Sequence, residues 1–238
     1  MAIYVTSDAH GHVRALDEAL SKISLASDDT LYVLGDMIDR GPDPVGVIKL
    51  ARSLPNAHVL KGNHEQIMLD AIIGQDPLDA ETWDINGGWT TREQLNDMEF
   101  EAYEELVRWM AGLPLYAVAE TEERPYLLVH AGIETEAARA FLLEHGVDCA
   151  DGAGATDADR ELLQQMLAVQ SSDDLLWIRH GYWDAPTGLL SAEGEGPVVV
   201  SGHTPTVSLG RYCEVGGLAG LDEESGRGQI VRLGGEDT

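Results

Sequence analysis

Gly35-Asp36-Met37-Ile38-Asp39-Arg40-Gly41 is the stretch on which the reading of this chain turns. It follows the apolar run Leu31-Tyr32-Val33-Leu34, which has the length and composition of a buried strand, and it packs two carboxylates, a guanidinium and two glycines into seven residues. A structural turn needs none of that charge. Glycine at each end admits backbone conformations closed to other residues and lets a ligand come close, while Asp36 and Arg40 set opposite charges at a strand end. That combination suits a site holding both a cation and a phosphate. Taken alone, it fits a surface turn with an Asp–Arg ion pair equally well.

The same order of strand, polar motif and helix recurs on either side. Residues 3–6 read as a short buried strand leading into Ser7-Asp8-Ala9-His10-Gly11-His12, and Val13, Leu16, Leu20 and Ile23 then recur at helical spacing. After the central stretch, Asp43 and Pro44 read as an N-cap and first helical position, with Ile48, Ala51 and Leu54 as the apolar face and Pro55 as the stop. A strand at 58–60 delivers Lys61-Gly62-Asn63-His64-Glu65 before a helix through Ile67, Met68, Ala71 and Ile72. A strand pair at 115–119 and 126–129 leads to His130-Ala131-Gly132, and the strong strand at 197–200 to Ser201-Gly202-His203-Thr204-Pro205. Weaker strands near 210–215 and 229–233 close the chain. Strands alternating with helices at this spacing predict an α/β arrangement with largely parallel neighbours. The expected organisation is one domain over 1–238, with a helical insertion at about 75–113 and an acidic helical segment at about 134–178 that ends on Leu175-Leu176-Trp177-Ile178-Arg179.

Polar clusters at 7–12, 35–41, 62–65, 130–132 and 202–205 each follow an apolar strand. In a parallel or mixed sheet those strand ends share one edge, where open α/β sheets hold their ligands. Asp8, His10, Asp36, Asn63, His130 and His203 should therefore converge. Oxygen and imidazole ligands without thiolates favour two first-row divalent cations with open positions over a closed zinc scaffold, and Asp36 is the natural bridge. One histidine at a strand end is more often a hydrogen-bonded structural residue, the reading we keep for His58, His145 and His180, and Asp43 reads as a cap. Five clusters at five strand ends speak against coincidence.

Composition bounds the partners. The 238 residues carry 42 acidic against 15 Lys and Arg side chains, a formal net charge of -27, which repels nucleic acid and anionic membranes. An anionic phosphate substrate meets the same repulsion, so metal ions and a few placed arginines must invert the sign locally. Cys149 and Cys213 are too few to form a disulfide framework and read as reduced thiols. No basic, cleavable apolar segment precedes the first motif and no apolar run reaches membrane-spanning length, so the expectation is a soluble cytoplasmic protein.

Ser7-Asp8-Ala9-His10-Gly11, Gly35 to Gly41, Gly62-Asn63-His64-Glu65, His130-Ala131-Gly132 and Gly202-His203-Thr204-Pro205 resemble, in order, the signature series of the phosphoprotein phosphatase family of metallophosphoesterases. The resemblance spans nearly the whole chain and implies a calcineurin-like α/β fold, with two mixed β-sheets in a sandwich flanked by helices. Trp83 with Asn86-Gly87-Gly88 resembles the compact bacterial and phage serine/threonine phosphatases and the related diadenosine tetraphosphate hydrolases, and Asp39-Arg40 looks more like the protein phosphatases. Two departures stand out: Ser7 replaces a usual glycine, and Cys213-Glu214-Val215-Gly216-Gly217 stands where the family has an Asp-Thr-Gly run.

Carried over by position, the resemblance implies that Asp8 and His10 bind a first divalent metal, that Asn63, His130 and His203 bind a second, and that Asp36 lies between them. Manganese is the leading candidate, with iron or zinc next. His64 resembles the general acid, Asp39 its orienting partner, and Arg40 and Arg179 a phosphate clamp. Physical chemistry agrees: two metals roughly 3.5–4 Å apart hold a hydroxide for in-line attack on phosphorus without a covalent phosphoenzyme. The leading expectation is a phosphatase for phosphoserine or phosphothreonine proteins and small aryl phosphates. The alternatives are a dinucleoside polyphosphate or nucleotide hydrolase, for which Trp83, Trp89, Tyr182 and Trp183 offer base-stacking surfaces, and a noncatalytic metal-binding scaffold, against which His64, Asp39 and Arg40 argue.

Overall fold

The computed structural model describes residues 1–74, 76–147, 158–179, 196–204 and 230–234. The expected strand at 210–215, both cysteines, His180, Tyr182, Trp183 and the 213–217 stretch lie outside these residues.

Strand β1 (Ile3–Thr6) pairs in parallel with β2 (Thr30–Val33), which pairs in parallel with β3 (Ala57–Val59), and β7 (Val231–Leu233) runs antiparallel on the far side of β1. The second sheet places β5 (Pro125–Val129) between antiparallel β4 (Tyr116–Glu120) and parallel β6 (Val198–Val200). Both sheets are therefore mixed, as the motif series implied.

The two-residue period of a strand sorts the apolar side chains into layers. Ile3, Val5, Leu34 and Leu60 face Ala119, Tyr126, Leu128, Val198, Val200 and Leu233 between the sheets. Leu31 and Val33 point the other way, into a cluster with helices α1 (Val13–Ile23), α2 (Pro44–Ser53) and α3 (Asn63–Ile73). Leu127, Val129 and Val199 likewise turn outward onto α7 (Thr135–Glu144) and α8 (Arg160–Ala168). The result is helices, sheet, sheet, helices.

Local chemistry sets the helix ends. Asp43 caps α2, its Oδ1 accepting the Gly46 N–H at 2.9 Å with Pro44 at the first position, as its sequence predicts. Helix α3 differs from the expectation: it begins at Asn63, so Asn63, His64 and Glu65 lie on its first turn rather than in the loop before it. Glu65 brings the start forward by reaching back to accept the Gly62 N–H at 2.8 Å. The segment at 75–113 holds α4 (Pro77–Ile85), α5 (Trp89–Asn96) and α6 (Phe100–Ala111), and α9 (Ser172–Trp177) follows α8. No helix of the described residues is long and apolar enough to cross a membrane.

Candidate active site

The strand ends carry the backbone strain. Seven non-glycine residues among those described have positive φ, and six of them are Asp8 (54°), His10 (40°), Asp36 (53°), Asp39 (69°), Arg40 (66°) and His203 (62°). Left-handed backbone costs an L-residue roughly 1–2 kcal/mol and persists only where its surroundings over-determine it. The concentration of that cost in the predicted ligand loops marks them as built for geometry rather than stability. Gly35 (φ +95°) makes the close approach possible, since a Cβ there would lie 2.3 Å from the Gly62 nitrogen.

Asp36 is the hub. Its Oδ2 lies 3.7 Å from His10 Nε2, 3.5 Å from His130 Nε2 and 4.0 Å from His64 Nε2, while its Oδ1 accepts the His64 backbone N–H at 3.0 Å. Two groups of donors that could hold a cation share it: His10, Asp36 and His64, and Asp36, His130 and His203, each with atoms within 4.8 Å of one another. Asn63 joins the second group, its Oδ1 lying 2.8 Å from His130 Nε2 and 2.9 Å from His203 Nδ1. Asp8 belongs to neither group of three; its Oδ2 accepts the His203 backbone N–H at 2.9 Å, which ties β1 to β6.

The donor set fits divalent cations. Arg40 Nη1 donates to His10 Nε2 at 3.0 Å and Nη2 to His64 Nε2 at 2.8 Å. A guanidinium only donates, so both Nε2 atoms present lone pairs to a positive charge, with the Nδ1–H of His10 held by the Ile38 carbonyl at 2.9 Å and that of His64 by Asp39 at 2.7 Å. Across the hub, His130 Nδ1 lies 2.7 Å from the Leu34 carbonyl, turning Nε2 inward. The buried Nε2 of His203 has no partner of hydrogen-bond geometry among the described residues, although the Trp177 carbonyl is near enough to favour its protonated form.

The electrostatics of His10 and His203 agree, whereas His130 would have to give up a proton to a cation. Burial lowers His10 to about 4, helped by His64 and Arg40 and partly offset by Asp36; burial, His130 and Arg179 lower His203 to about 3. Both rings are thus kept neutral, the state a metal ligand requires. Burial opposes the charge of Asp36, yet His130 and His64 hold its pKa well below the usual carboxylate range. Burial also opposes a proton on His130, but Asp36 outweighs it and raises the ring to about 9. On His64 burial again acts downward and is overcome by Asp36 and the Asp39 hydrogen bond, so its pKa is raised.

A second layer of buried groups fixes the first. Asp39, fully buried, receives His64 Nδ1 at 2.7 Å, Thr91 Oγ1 at 2.6 Å and the Trp83 indole N–H at 3.0 Å. Trp83 is 3% exposed, which corrects its assignment as a base-stacking surface: its ring is in the core and its polar handle is spent on Asp39. Gly87 (φ +93°) accepts the Arg40 backbone N–H at 3.1 Å, so the turn between α4 and α5 braces the central stretch. Trp83→Phe should leave the metal ligands untouched but cost about 1.5–3 kcal/mol of stability for a lost bond to a charged acceptor, and lower kcat about tenfold. Urea denaturation and turnover on one preparation check both; an unchanged midpoint would refute the Trp83–Asp39 link.

Glu65 is the residue that sequence reasoning quoted without giving it a task. Its carboxylate accepts three buried backbone N–H groups, from Gly62 (2.8 Å), Asp36 (2.9 Å) and Met37 (2.8 Å). Burial and the nearby Asp36 raise its pKa to about 7, against the pull of those three donors. Glu65→Gln offers one oxygen where three donors need two, leaving at least one N–H facing an amide. The expected loss is about 2–4 kcal/mol, readable as a fall of roughly 5–10 °C in Tm. An unshifted Tm would show that the tie is dispensable.

Arg179 stands at the other end of the donor set, Nη1 donating to the His203 carbonyl at 3.1 Å. All ten predicted site residues, Asp8, His10, Asp36, Asp39, Arg40, Asn63, His64, His130, Arg179 and His203, thus lie in one network, its two halves joined by the 3.5 Å approach of His130 to Asp36. His58 and His145 stay out of it, stacked on Tyr32 and Phe141.

This fold and this clustering of donors at strand ends are those of a metallophosphoesterase. The chain matches the calcineurin-like phosphoesterase family over residues 1–227 and belongs to it. Among curated relatives, the symmetrical bis(5'-nucleosyl)-tetraphosphatase of Proteus mirabilis is 30% identical over 219 residues, 90% of this chain and 68% of that protein. The protein of the same name from Pectobacterium atrosepticum is 27% identical over 221 residues, 91% of this chain and 68% of its own length. That of Erwinia tasmaniensis is 30% identical over 136 residues, and there the match spans 45% of the relative. A solved structure provisionally named a diadenosine tetraphosphatase aligns over 100% of this chain and 95% of its own, with a TM-score of 0.52 and 17% identity, a likeness of fold.

Proposed function

We propose that this chain hydrolyses dinucleoside polyphosphates, cleaving a phosphoanhydride with water as the acceptor, as one cytoplasmic catalytic domain over 1–238. The observation that carries the reading is its similarity, along 90% of its length, to a symmetrical bis(5'-nucleosyl)-tetraphosphatase, joined to Arg40 and Arg179 beside two groups of donors that could hold a cation. Asp8, His10 and Asp36 would hold one divalent ion and Asp36, Asn63, His130 and His203 the other, manganese being the first choice. Divalent cations in such a site supply Lewis acidity and make water a competent nucleophile at neutral pH.

The chain's own residues do the rest. Arg40 and Arg179 bind nonbridging phosphate oxygens from two ends of the cluster and gain as charge shifts in the transition state. When phosphate draws Arg40 away, the Nε2 atoms of His10 and His64 are released, the first to a cation and the second to carry a proton. His64, held by Asp39 at 2.7 Å, would then give that proton to the leaving oxygen.

The net charge of -27 favours the second reading, a phosphatase for phosphoserine, phosphothreonine and aryl monoesters, because long-range repulsion weighs more on a tetraphosphate than on a monoester. Side-by-side kcat/KM values for diadenosine tetraphosphate and a phosphothreonine peptide, at one metal and salt concentration, separate the two. The proposal expects the dinucleotide to win and to give two molecules of nucleoside diphosphate. Preference for the peptide would transfer the chain to the phosphatase reading.

A further inference from the structure

A substrate with bases at its ends needs an apolar surface beside the phosphate cluster, and burial of Trp83 removes one candidate for it. Trp89, Phe100 and Trp177 are the exposed large aromatics among the described residues, at 61%, 66% and 42%. Of these, Trp177 is the one whose ring meets the donor set: its centroid lies 6.2 Å from that of His203, at 88°.

Its neighbours in sequence explain the placement. Helix α9 ends at Trp177, and Ile178 leaves it in extended backbone (φ -60°, ψ 130°). Ile178 packs inward against the α7–α8 core, while the residues on both sides of it contact His203, Trp177 through its ring and Arg179 through the bond to the carbonyl. One tripeptide therefore delivers a partly exposed indole and a guanidinium to the same edge of the site. An apolar face next to a phosphate-binding cation is the pairing that a base and its 5'-phosphate require, whereas a phosphoserine side chain has nothing to lay on the indole.

We propose that Trp177 is the stacking surface for a nucleobase of the substrate, with Arg179 taking the phosphate of the same nucleotide. The inference rests on the nucleotide-hydrolase reading, and the test keeps the two apart. Wild type, Trp177→Leu and Trp177→Phe, each manganese-loaded, are compared on diadenosine tetraphosphate and on phosphoserine, which carries no ring. Stacking on an aromatic side chain is worth about tenfold or more in affinity per base. Trp177→Leu should therefore raise KM for the dinucleotide about tenfold more than for phosphoserine, and Trp177→Phe, which keeps an aromatic face, should recover most of that difference. Equal losses on both substrates would make Trp177 a packing partner of His203 and overturn the proposal, as would no loss on either. A wild-type protein that fails to cleave the dinucleotide sinks the functional reading alone. Calorimetric titration with ADP and with pyrophosphate then decides the stacking surface: ADP should bind wild type about tenfold more tightly than Trp177→Leu while pyrophosphate binds both alike, and equal ADP affinities would overturn it.

Discussion

Asp36→Asn is expected to lower bound metal and abolish turnover together, a loss in kcat/KM of at least about three orders of magnitude, or some 4 kcal/mol of transition-state stabilisation. The substitution is conservative everywhere except at the charge. Asn is among the residues that best tolerate the positive φ of 53° at this position, and its oxygen can still accept the His64 N–H now bonded at 3.0 Å. What goes is the negative oxygen that lies 3.5–4.0 Å from the Nε2 atoms of His130, His10 and His64. Both cation-binding groups contain Asp36, so one neutralised carboxylate weakens the two at once. Metal analysis of the purified variant, with kcat/KM measured at saturating manganese, checks the prediction. Two bound metals with near-normal activity would show that the two groups do not depend on a shared charge.

That Asp36 would stand among the converging groups was legible from its place after an apolar strand, because a strand's period and its C-terminal edge are local and topological facts that a single chain writes plainly. Five strand ends carrying Asp, Asn or His could be brought to one edge by reasoning alone, and the six ligand candidates do lie in one network. The supporting layer was harder to read. Thr91 reaches Asp39 across 52 residues and Trp83 across 44, and neither partnership leaves a spacing signal. An aromatic in a polar insertion reads as a surface ring until its burial is known, as with Trp83. Glu65 sat inside a quoted motif, yet its task is to satisfy backbone N–H groups at 36 and 37, a debt visible only once the loop's backbone is folded. Substrate class was least legible. The charge argument favoured a monoester, whereas the relatives favour a dinucleotide, because net charge is a sum over the whole surface and substrate choice is made by a few groups at the site.

His64→Asn bears on both mechanism and substrate class. Asn keeps a donor for Asp39, now 2.7 Å from His64 Nδ1, but has no proton to give at Nε2. Metal content should stay at the wild-type value. If His64 instead belonged among the ligands, as its place in the group with His10 and Asp36 would allow, one metal equivalent would be lost. With metals retained, kcat for a phosphoserine or phosphothreonine peptide should fall by about two to four orders of magnitude, the range for losing a general acid to an alkoxide leaving group. The loss should shrink for p-nitrophenyl phosphate, whose phenolate needs little protonation. It should shrink for diadenosine tetraphosphate too, since the departing group is a terminal phosphate whose last proton has a pKa near 6, comparable to that of a phosphate monoester. A chain shaped for anhydride cleavage therefore tolerates this variant on its own substrate and fails on alkyl esters. An equal loss on all three substrates, with both metals in place, would remove His64 from proton donation and leave it a positioning role beside Asp36.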